Sequence, residues 1–580
     1  MIWGLSILLP LFAALLLNFP RLRPAVIRVL MPLAGLPALI AAILSPPPVE
    51  APSLLLGLQL GPGVYSGSFL FPTALLWTAS GFFAARLLRN DPRVAGFAFF
   101  FLLTMAGNLG LLVALDVPTF YTCFAVMTFS AYGLIVHDRT VEAMQAGRVY
   151  LFMALAGEAA LITALFLAVN SAGSTAIADM ALATATSPHR DLIIMTAGIG
   201  FGVKAGALLL HFWLPLAHPV APTPASAVLS GCMIKAGLLG WLYFLPLGLI
   251  DLPAWGLGFT VFGVLALYFG VLAGLGEPRP KTILAYSSIS QMGLMTLVVG
   301  LGLVHAPGWP LLLPVLLLLV LNHALAKGML FLAAGTAPHT GNSRALQGVL
   351  LAVTAIPALA LSGLPWTGGA VAKSGLKKSL PPAELFWPLP LDLLLLLSST
   401  GTMFLLGHFL LRLWDTFPQK KQHPAPRLWL SWLALLPFLL LARHWILDLS
   451  GMAVHIPEIG VLENLRSAWP VLLGVLLLLP FRRICRECVL PPLISWTTVN
   501  ARVAKGIERG LAGLDVFQVE DSTLIRMLSQ KYVRWFVPEE ADPDTLLRLE
   551  RRFLHWYTMA LVFVLMLSLF ILFSYLEVSG

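Results

Sequence analysis

The chain has 580 residues, of which 58% are hydrophobic and only 11% are charged. A soluble domain carries roughly 25% charged residues, so the composition excludes a soluble multidomain protein and predicts an all-α polytopic membrane protein. The net charge of +9 does not indicate nucleic-acid binding. The arginines fall in short clusters between apolar runs, where membrane orientation explains them.

Apolar runs along the chain predict about sixteen membrane-spanning helices, because one helix needs about 20 apolar residues. Their centres lie near residues 10, 35, 78, 104, 127, 159, 202, 236, 265, 294, 322, 358, 398, 438, 476 and 566. The first span, over residues 2–17, has no basic segment before it and no small-residue cleavage site. We therefore expect a retained helix and not a cleaved signal.

Basic residues follow nearly every odd-numbered span. Examples are Arg21, Arg86, Arg148, Arg279 and Arg482. Because basic loops stay on the cytoplasmic side, this pattern predicts a bacterial inner-membrane protein with both termini on the non-cytoplasmic side. The exceptions are span 7, whose exit offers only histidines, and four basic residues after even-numbered spans: Arg190, Lys377, Lys378 and Arg466.

Span 7 contains a predicted helix break. Residues 200–237 read GFGVKAGALLLHFWLPLAHPVAPTPASAVLSGCMIKAG, and Pro215 is the first of four closely spaced prolines. Prolines interrupt helical hydrogen bonding, and breaks at membrane depth are tolerated only inside protein or beside a watery cavity. His211 and His218 flank this break, and histidine can carry protons near neutral pH. Broken helices recur at ion-transport sites.

Four lysines lie inside long apolar runs: Lys204, Lys235, Lys327 and Lys373. The chain has only eleven lysines, and none precedes Lys204. A charged group at membrane depth is costly and marks a functional site by default. Arginine stays charged in proteins, whereas a buried lysine can release its proton near neutral pH. We therefore expect these four lysines to be proton-handling groups.

Three further motifs accompany the predicted break. KTILAYSSISQMG begins at Lys281, NHALAKG covers residues 322–328, and SGLPWTGG, with a second predicted break at Pro365, precedes Lys373. Together the motifs resemble those of the proton-translocating antiporter-like membrane subunits. That family includes the large membrane subunits of respiratory complex I, Mrp-type sodium/proton antiporter subunits, and the membrane subunits of hydrogenase-4 and formate hydrogenlyase. The HFWLPLAHPVAPTP wording is closer to the hydrogenase and Mrp branches.

The resemblance implies two inverted five-helix repeats, each with one broken helix. It divides the chain into N-terminal transmembrane helices (1–93), a first repeat of spans 4–8 (94–250), a second repeat of spans 9–13 (251–415), C-terminal transmembrane helices (416–484), a lateral amphipathic segment on the cytoplasmic side (485–553) and a final transmembrane helix (554–580). Apolar residues from Trp496 to Leu514 recur at helical spacing, which predicts a helix lying along an interface. A small cytosolic helical hairpin is the alternative.

The resemblance also implies roles for the lysines. Lys204 would be the central lysine of the first half, and Lys235 or a nearby histidine would pass the proton along the membrane midplane. Lys327 with His323 would continue the chain, and Lys373 would be its terminal group. Two residues of span 13, Asp392 and His408, could form an exit path. Helix capping is the alternative role for Asp392.

The chain departs from the family pattern at Ala125, where the family has a span 5 glutamate that pairs with the span 7 lysine. A carboxylate near a lysine sets whether the lysine holds its proton. Glu158 lies about ten residues into span 6, near mid-membrane at a helical rise of about 1.5 Å per residue. We hypothesise that Glu158 supplies the missing carboxylate; the alternative is that it hydrogen-bonds locally. A second departure is Arg279-Pro280, where the family has an acidic residue before Lys281.

The sequence contains no cysteine cluster for an iron–sulfur centre and no nucleotide fingerprint, so we expect no cofactor and no metal. Cys485 and Cys488 form a single C-x-x-C and are expected to be reduced structural thiols. The resemblance implies a translocase subunit without a redox site, in a redox-driven complex whose other membrane and peripheral subunits transfer electrons. Three alternatives remain: an Mrp-type cation/proton antiporter subunit, an energising partner of an inorganic-carbon uptake protein, and a partly degenerate scaffold, which Ala125 motivates.

Overall fold

The computed structural model describes residues 1–379, 391–418, 425–442 and 460–487. The chain divides into two compact units, Met1–Leu493 and Ile494–Gly580, and every described residue belongs to the first. The predicted final helix, almost all of the predicted lateral segment, and the C-x-x-C thiols lie outside the described residues and side chains.

Helices dominate the described chain because a backbone surrounded by apolar side chains must satisfy its own hydrogen bonds. The α-helices are α1 (Ile2–Leu16), α2 (Arg23–Ala25), α3 (Met31–Leu33), α4 (Leu36–Leu44), α5 (Ser66–Leu87), α6 (Val94–Val113), α7 (Val117–Ile135), α8 (Val141–Ala172), α9 (Met180–Thr186), α10 (Arg190–Ala205), α11 (Trp213–Val220), α12 (Thr223–Val228), α13 (Ile234–Phe244), α14 (Pro253–Leu275), α15 (Pro280–Val304), α16 (Trp309–Thr336), α17 (Arg344–Ser362), α18 (Gly368–Lys378), α19 (Leu391–Trp414), α20 (Pro426–Leu433), α21 (Leu436–Leu440), α22 (Val461–Arg466) and α23 (Ala468–Glu487).

Shorter elements complete the described part. Two π-helical turns, Val26–Leu30 and Leu229–Met233, join neighbouring α-helices, and the 3₁₀ turns are Ile177–Asp179, Ala306–Gly308 and Ala337–His339. Strands β1 (Val49–Ala51) and β2 (Leu58–Leu60) pair antiparallel, with Val49 opposite Leu60. This small hairpin is the only sheet among the described residues.

The predicted all-α membrane fold is confirmed. Eleven helical stretches of the described chain are long and apolar enough to cross a membrane. Every predicted span centre from residue 10 to residue 476 lies within a helical segment or at a junction of short helices. The centre at residue 566 lies outside the described residues. The count of sixteen spans and the inverted relation of the two repeats stay predictions.

Contacts between connecting loops define two faces of the described unit. On one face, the loops 88–93, 136–140 and 276–279 lie close together. The Arg93 guanidinium donates to the Asp138 carbonyl at 3.0 Å, and Arg279 pairs with Glu142 at 3.3 Å. We call these three loops the loop face. They follow predicted spans 3, 5 and 9. The basic residues after these spans predicted that the three loops lie on the same side of the membrane.

The second face contains the β-hairpin, the connection at Leu115 and the turn that begins at Ile177. The Leu115 N–H donates to the Gln59 carbonyl, and the Ile177 N–H donates to the Leu115 carbonyl, both at 2.9 Å. Asp116 caps α7 by accepting from the Thr119 N–H at 2.7 Å, as expected for an N-cap aspartate.

Helix α16 lies at the centre of the described unit. It packs against α5, α12, α15, α17 and α18. The stretches 223–244 and 306–339 are the candidate spans in which the whole apolar window is buried. Polar groups on these stretches must therefore find partners inside the protein, and three of the candidate site residues lie on them.

Candidate functional site

The first helix break lies between α10 and α11. Helix α10 ends at Ala205, and Gly206 takes a left-handed conformation (φ +68°) with its N–H returned to carbonyls of the last turn. Residues 207–212 are not helical. The prediction that Pro215 breaks the helix was wrong in position. Pro215 lies in the first turn of α11, where proline is tolerated because the N–H groups there have no helical partner.

Lys204 lies in the last turn of α10 and is 4% exposed. Its Nζ lies 3.2 Å from the Tyr150 hydroxyl on α8. The Tyr150 hydroxyl in turn donates to the Thr128 carbonyl at 2.6 Å. The amine also lies 5.6 Å from the Phe124 ring centroid, within cation–π distance. A cation at this position is thus held by one hydroxyl and by ring faces.

Glu158 on α8 lines the same small cavity as Lys204, Tyr150 and Thr128. The cavity volume is about 10 Å³, close to the room that one water molecule needs. Glu158 is 6% exposed, and neither of its carboxyl oxygens has a hydrogen-bond partner among the described residues. Its charge acts on Lys204. A buried carboxylate without hydrogen-bond partners can therefore influence whether the neighbouring buried amine holds its proton.

Ala125 belongs to the same stripe of α7 as two neighbours of Glu158. Tyr121 and Thr128 both lie near the Glu158 carboxyl. Residues four and three positions apart share one face of a helix, so Ala125 lies between Tyr121 and Thr128 on that face. A carboxylate carried by α8 therefore faces the stripe of α7 from which the family glutamate is missing.

The second buried cluster joins two lysines through a histidine. The Lys235 amine, on α13, hydrogen-bonds Nδ1 of His323 on α16 and donates to the Ser230 carbonyl at 2.8 Å. His323 Nε2 is buried with no partner among the described residues. One turn further along α16, the Lys327 amine donates to the Leu284 carbonyl at 2.8 Å. An imidazole with one nitrogen on an amine and the other free can accept and release a proton on opposite sides.

A pair of serines connects the acceptors of these two lysines. The Ser230 hydroxyl lies 2.6 Å from the Ser288 hydroxyl, and Ser288 donates to the Leu284 carbonyl at 3.0 Å. Ser288 belongs to the KTILAYSS motif. Helix–helix bonding is observed, and it links Lys235 to Lys327 by way of α15.

The second break separates α17 from α18, and Pro365 lies between these two helices. Helix α17 ends at Ser362, followed by Gly363 in a left-handed conformation (φ +93°). Lys373 on α18 donates to the Ser362 carbonyl at 3.1 Å and to the Ser399 hydroxyl of α19 at 2.9 Å. Carbonyls of a last helical turn lack helical partners and favour a cation. The break thus supplies the acceptor for the amine.

The two histidines near the first break have different neighbours. His211 lies in the non-helical segment, with its ring 5.0 Å from that of Phe269. His218 lies on α11 against Phe331 at 4.8 Å between ring centroids. Both histidines are buried, and none of their ring nitrogens has a partner among the described residues. Only His218 is close enough to Lys281 and Lys327 for their charges to act on it.

The predicted exit residues are not brought to Lys373 by any described contact. Asp392 begins α19, and its side chain lies outside the described residues. His408 lies nine positions after Ser399 on α19, a rise of about 13 Å. Its Nε2 donates to the Glu277 carbonyl at 3.0 Å, which ties α19 to the loop face.

Glu277 lies in a loop outside the membrane-spanning helices. Burial raises its pKa to about 7, although Arg279 opposes this. An acid with a raised folded pKa gives stability that is complete below the unfolded value and lost as pH rises through the folded one. The window is from about 4.5 to about 7. We expect Glu277→Gln to melt a few degrees above the natural protein at pH 8 and to lose most of that advantage at pH 5.

Thermal unfolding in detergent at both pH values measures this difference. Glu142→Gln is the matched control, because Glu142 begins α8 beside the loop face, where it pairs with Arg279, and its side chain is 64% exposed. An advantage of Glu277→Gln that is equal at pH 5 and pH 8 would contradict the prediction.

Each of the four predicted lysines is at most 6% exposed. The sequence did not identify Tyr150, Ser230 or Ser399 as their partners. The Ser230 acceptor is its main-chain carbonyl, which every residue has, and the Tyr150 and Ser399 hydroxyls lie on other helices than the lysines they contact. No signal distinguishes such a residue until the neighbouring helices are known.

Residues 114–381 match the family model described as NADH:quinone oxidoreductase/Mrp antiporter, transmembrane. The chain is 33% identical over 296 residues to Hydrogenase-4 component B of Escherichia coli, covering 48% of this chain and 44% of that relative. It is 29% identical over 399 residues to the putative antiporter subunit mnhA2 of Staphylococcus haemolyticus, covering 63% and 49% respectively. The aligned part thus spans about half the length of these relatives.

The fold is similar to a chain in the structure of the Mrp complex from Dietzia sp. DQ12-45-1b. The TM-score is 0.73 at 21% identity, and the match covers 94% of this chain and 64% of that one. The matched family model includes both helix breaks and all four buried lysines. Residues 114–381 are therefore similar to the antiporter-like membrane subunits of NADH:quinone oxidoreductases and Mrp antiporters.

Proposed function

We propose that the chain is a proton-translocating membrane subunit of a redox-driven complex, similar to complex I or to an energy-converting hydrogenase. The observation that carries the proposal is the burial of four lysine amines, three of which lie beside a side chain that can share or exchange a proton. A charged amine inside an apolar helix is costly, so its presence there indicates a functional role. Electron transfer belongs to partner subunits in this proposal.

The proposed route follows the buried amines in order. Glu158 and Lys204 form the first charge pair, Lys235 and Lys327 exchange protons by way of His323, and Lys373 is the terminal group. His211 and His218 hold protons beside the first break. Asp392 and His408 form the exit side of the second half. The lysine amines gain and lose protons as hydration and charge pairing change around them.

The proposal includes the domain division and orientation. Residues 94–250 and 251–415 form the two inverted halves, with 1–93 and 416–484 packed beside them. Residues 485–553 lie along the cytoplasmic side before a final helix at 554–580. Both termini face away from the cytoplasm of a bacterial inner membrane. Similarity to a subunit named for hydrogenase-4 supports a multisubunit, redox-driven assembly.

A second candidate is an Mrp-type cation/proton antiporter subunit. The fold similarity to a chain of an Mrp complex favours it. An energising partner of an inorganic-carbon uptake protein is a third candidate. Neighbouring genes discriminate among them: hydrogenase or quinone-reductase genes, Mrp-type genes, or a gene for a zinc carbonic-anhydrase-like protein. A degenerate scaffold is the fourth, and transport measurements test it directly.

Lys204→Ala and Lys373→Ala test whether both halves conduct. The full chain, with the subunits that purify with it, is reconstituted in vesicles, and a potassium diffusion potential drives proton entry past a trapped pH dye. We expect each variant to lose about a hundredfold in proton flux, as is usual for a deleted proton-transfer group. Unchanged flux in both variants would favour the scaffold over the proposed function.

A further inference from the structure

Lys281 opens the KTILAYSS motif but has no part in the proposed route. It is the second residue of α15 and is partly exposed. Its amine donates to the Ala221 carbonyl at 2.7 Å, in the short connection between α11 and α12. Lys281 therefore lies where the loop face meets the end of the broken helix.

Acidic and basic groups of the loop face lie on the outer side of Lys281. The charge of Asp138 acts on the Lys281 amine, and Asp138 is exposed. Its carboxyl oxygen lies within 4.8 Å of a carboxyl oxygen of Asp91 and a ring nitrogen of His137. His137 Nε2 and the Asp91 carboxylate are 2.9 Å apart. Solvent protons thus meet a cluster of titratable groups next to the amine.

His218 lies on the inner side of Lys281. It is 0% exposed, and its ring nitrogens have no partner among the described residues. The charges of both Lys281 and Lys327 act on its ring. Burying an imidazole without a partner is costly, so this position between two amines calls for an explanation other than packing.

We infer that Asp138, Lys281 and His218 form an uptake path that delivers protons from the loop face to Lys327. The inference rests on the proposed function and adds an entrance to it. It is independent of the Glu158–Lys204 pair, because it reaches the central cluster from α15 and not from α8.

Each step moves one proton and restores its donor. A hydronium ion gives a proton to the Asp138 carboxylate and becomes water. The carboxyl then passes the proton to the neutral Lys281 amine, which becomes an ammonium, and the carboxylate is restored. Lys281 gives that proton, through intervening water, to one nitrogen of His218. The opposite nitrogen releases a proton to the neutral Lys327 amine. The imidazole is then neutral as the opposite tautomer, and a turn of the ring restores the starting tautomer before the next transfer.

Several other charged groups face this path. Asp91, Arg93 and His137 adjoin Asp138 in the loops after α5 and α7; Glu142 begins α8; Glu277 and Arg279 precede Lys281; and Lys235 and His323 adjoin Lys327.

Lys281→Arg and Lys281→His separate proton transfer from packing. Arginine keeps a charge and can donate to the Ala221 carbonyl, but it does not release its proton. Histidine titrates near neutral pH. With the full chain and its co-purifying subunits in vesicles, we expect Lys281→Arg to lower proton flux about a hundredfold. Lys281→His should retain most of the flux. If Lys281 were merely structural, arginine would be tolerated better than histidine.

Asp138→Asn adds a pH readout. We expect its flux to match the natural protein at pH 6, where protons are abundant, and to fall about tenfold at pH 8.5, where collection limits uptake. Glu142→Gln is the control on the same face and should leave flux unchanged at both pH values. Equal pH profiles for Asp138→Asn and Glu142→Gln would overturn the uptake path, as would natural flux in Lys281→Arg.

Lys327→Met distinguishes an error in the uptake path from an error in the proposed route through the buried lysines. If Lys327→Met blocks flux while Lys281→Arg conducts normally, the uptake path is wrong and the proposed function stands. If Lys327→Met itself conducts normally, protons bypass the central cluster, and both the proposed route through Lys327 and the uptake path that ends at Lys327 are wrong. Thermal stability of each variant, measured beside the flux, identifies variants that fail to fold.

Discussion

Replacing Glu158 with glutamine should lower proton flux at least about tenfold. The substitution keeps the size of the side chain but removes the only carboxylate among the described residues that line the Lys204 cavity. A difference of about 1.4 kcal/mol in charge pairing is already a factor of ten, and close charge pairs out of water exceed that. The measurement is vesicle proton flux under a fixed potassium diffusion potential.

A second substitution tests why Glu158 matters. Ala125 lies on the α7 stripe that faces Glu158, so the double variant Ala125→Glu/Glu158→Gln returns the carboxylate to the helix where the family carries it. We expect the double variant to recover most of the flux. Ala125→Gln/Glu158→Gln is the matched control without a charge and should stay slow. Natural flux in Glu158→Gln would show that Lys204 works without this carboxylate.

Replacing Lys327 with methionine should reduce proton flux to the leak of empty vesicles. Lys327 is 0% exposed and lies one turn from His323, so its removal interrupts the proposed route between the first half and Lys373. Methionine fills a similar volume without a titratable group, so packing should survive. A positioned proton-transfer group contributes about a hundredfold or more, which is enough to hide flux beneath the leak.

Lys377→Met is the matched control for this substitution. Lys377 is an exposed lysine at the end of α18, and the same chemical change there should leave flux intact. Both variants should elute as the natural complex does on gel filtration. Flux in Lys327→Met equal to that of Lys377→Met would mean that protons bypass the central cluster.

The positions of the four amines could be predicted because lysine in an apolar run is improbable without a use. Their partners could not be predicted. Lys204 is 54 residues from the Tyr150 hydroxyl, and Lys327 is 43 residues from the Leu284 carbonyl. Such pairs depend on which helices are neighbours, and hydrophobic periodicity carries little of that information when helices are apolar on all sides.

The helix breaks show the same division between local and distant information. Pro365 lies inside its break, but Pro215 lies after its own, because a left-handed glycine had already ended α10. Proline marks a place that cannot continue a helix, whereas the end itself is chosen by the residue that can take a positive φ.

Three of the four amines donate to main-chain carbonyls, those of Ser230, Leu284 and Ser362. A peptide oxygen is present whatever residue occupies the position, so mutation of these three acceptor residues leaves the acceptor in place. Lys204 instead relies on a tyrosine hydroxyl and a nearby acid, both of which a single codon change can delete. Over evolutionary time the first amine is therefore the one whose surroundings can be rewired, and the exchange of a span 5 glutamate for Glu158 would be a rewiring of that kind.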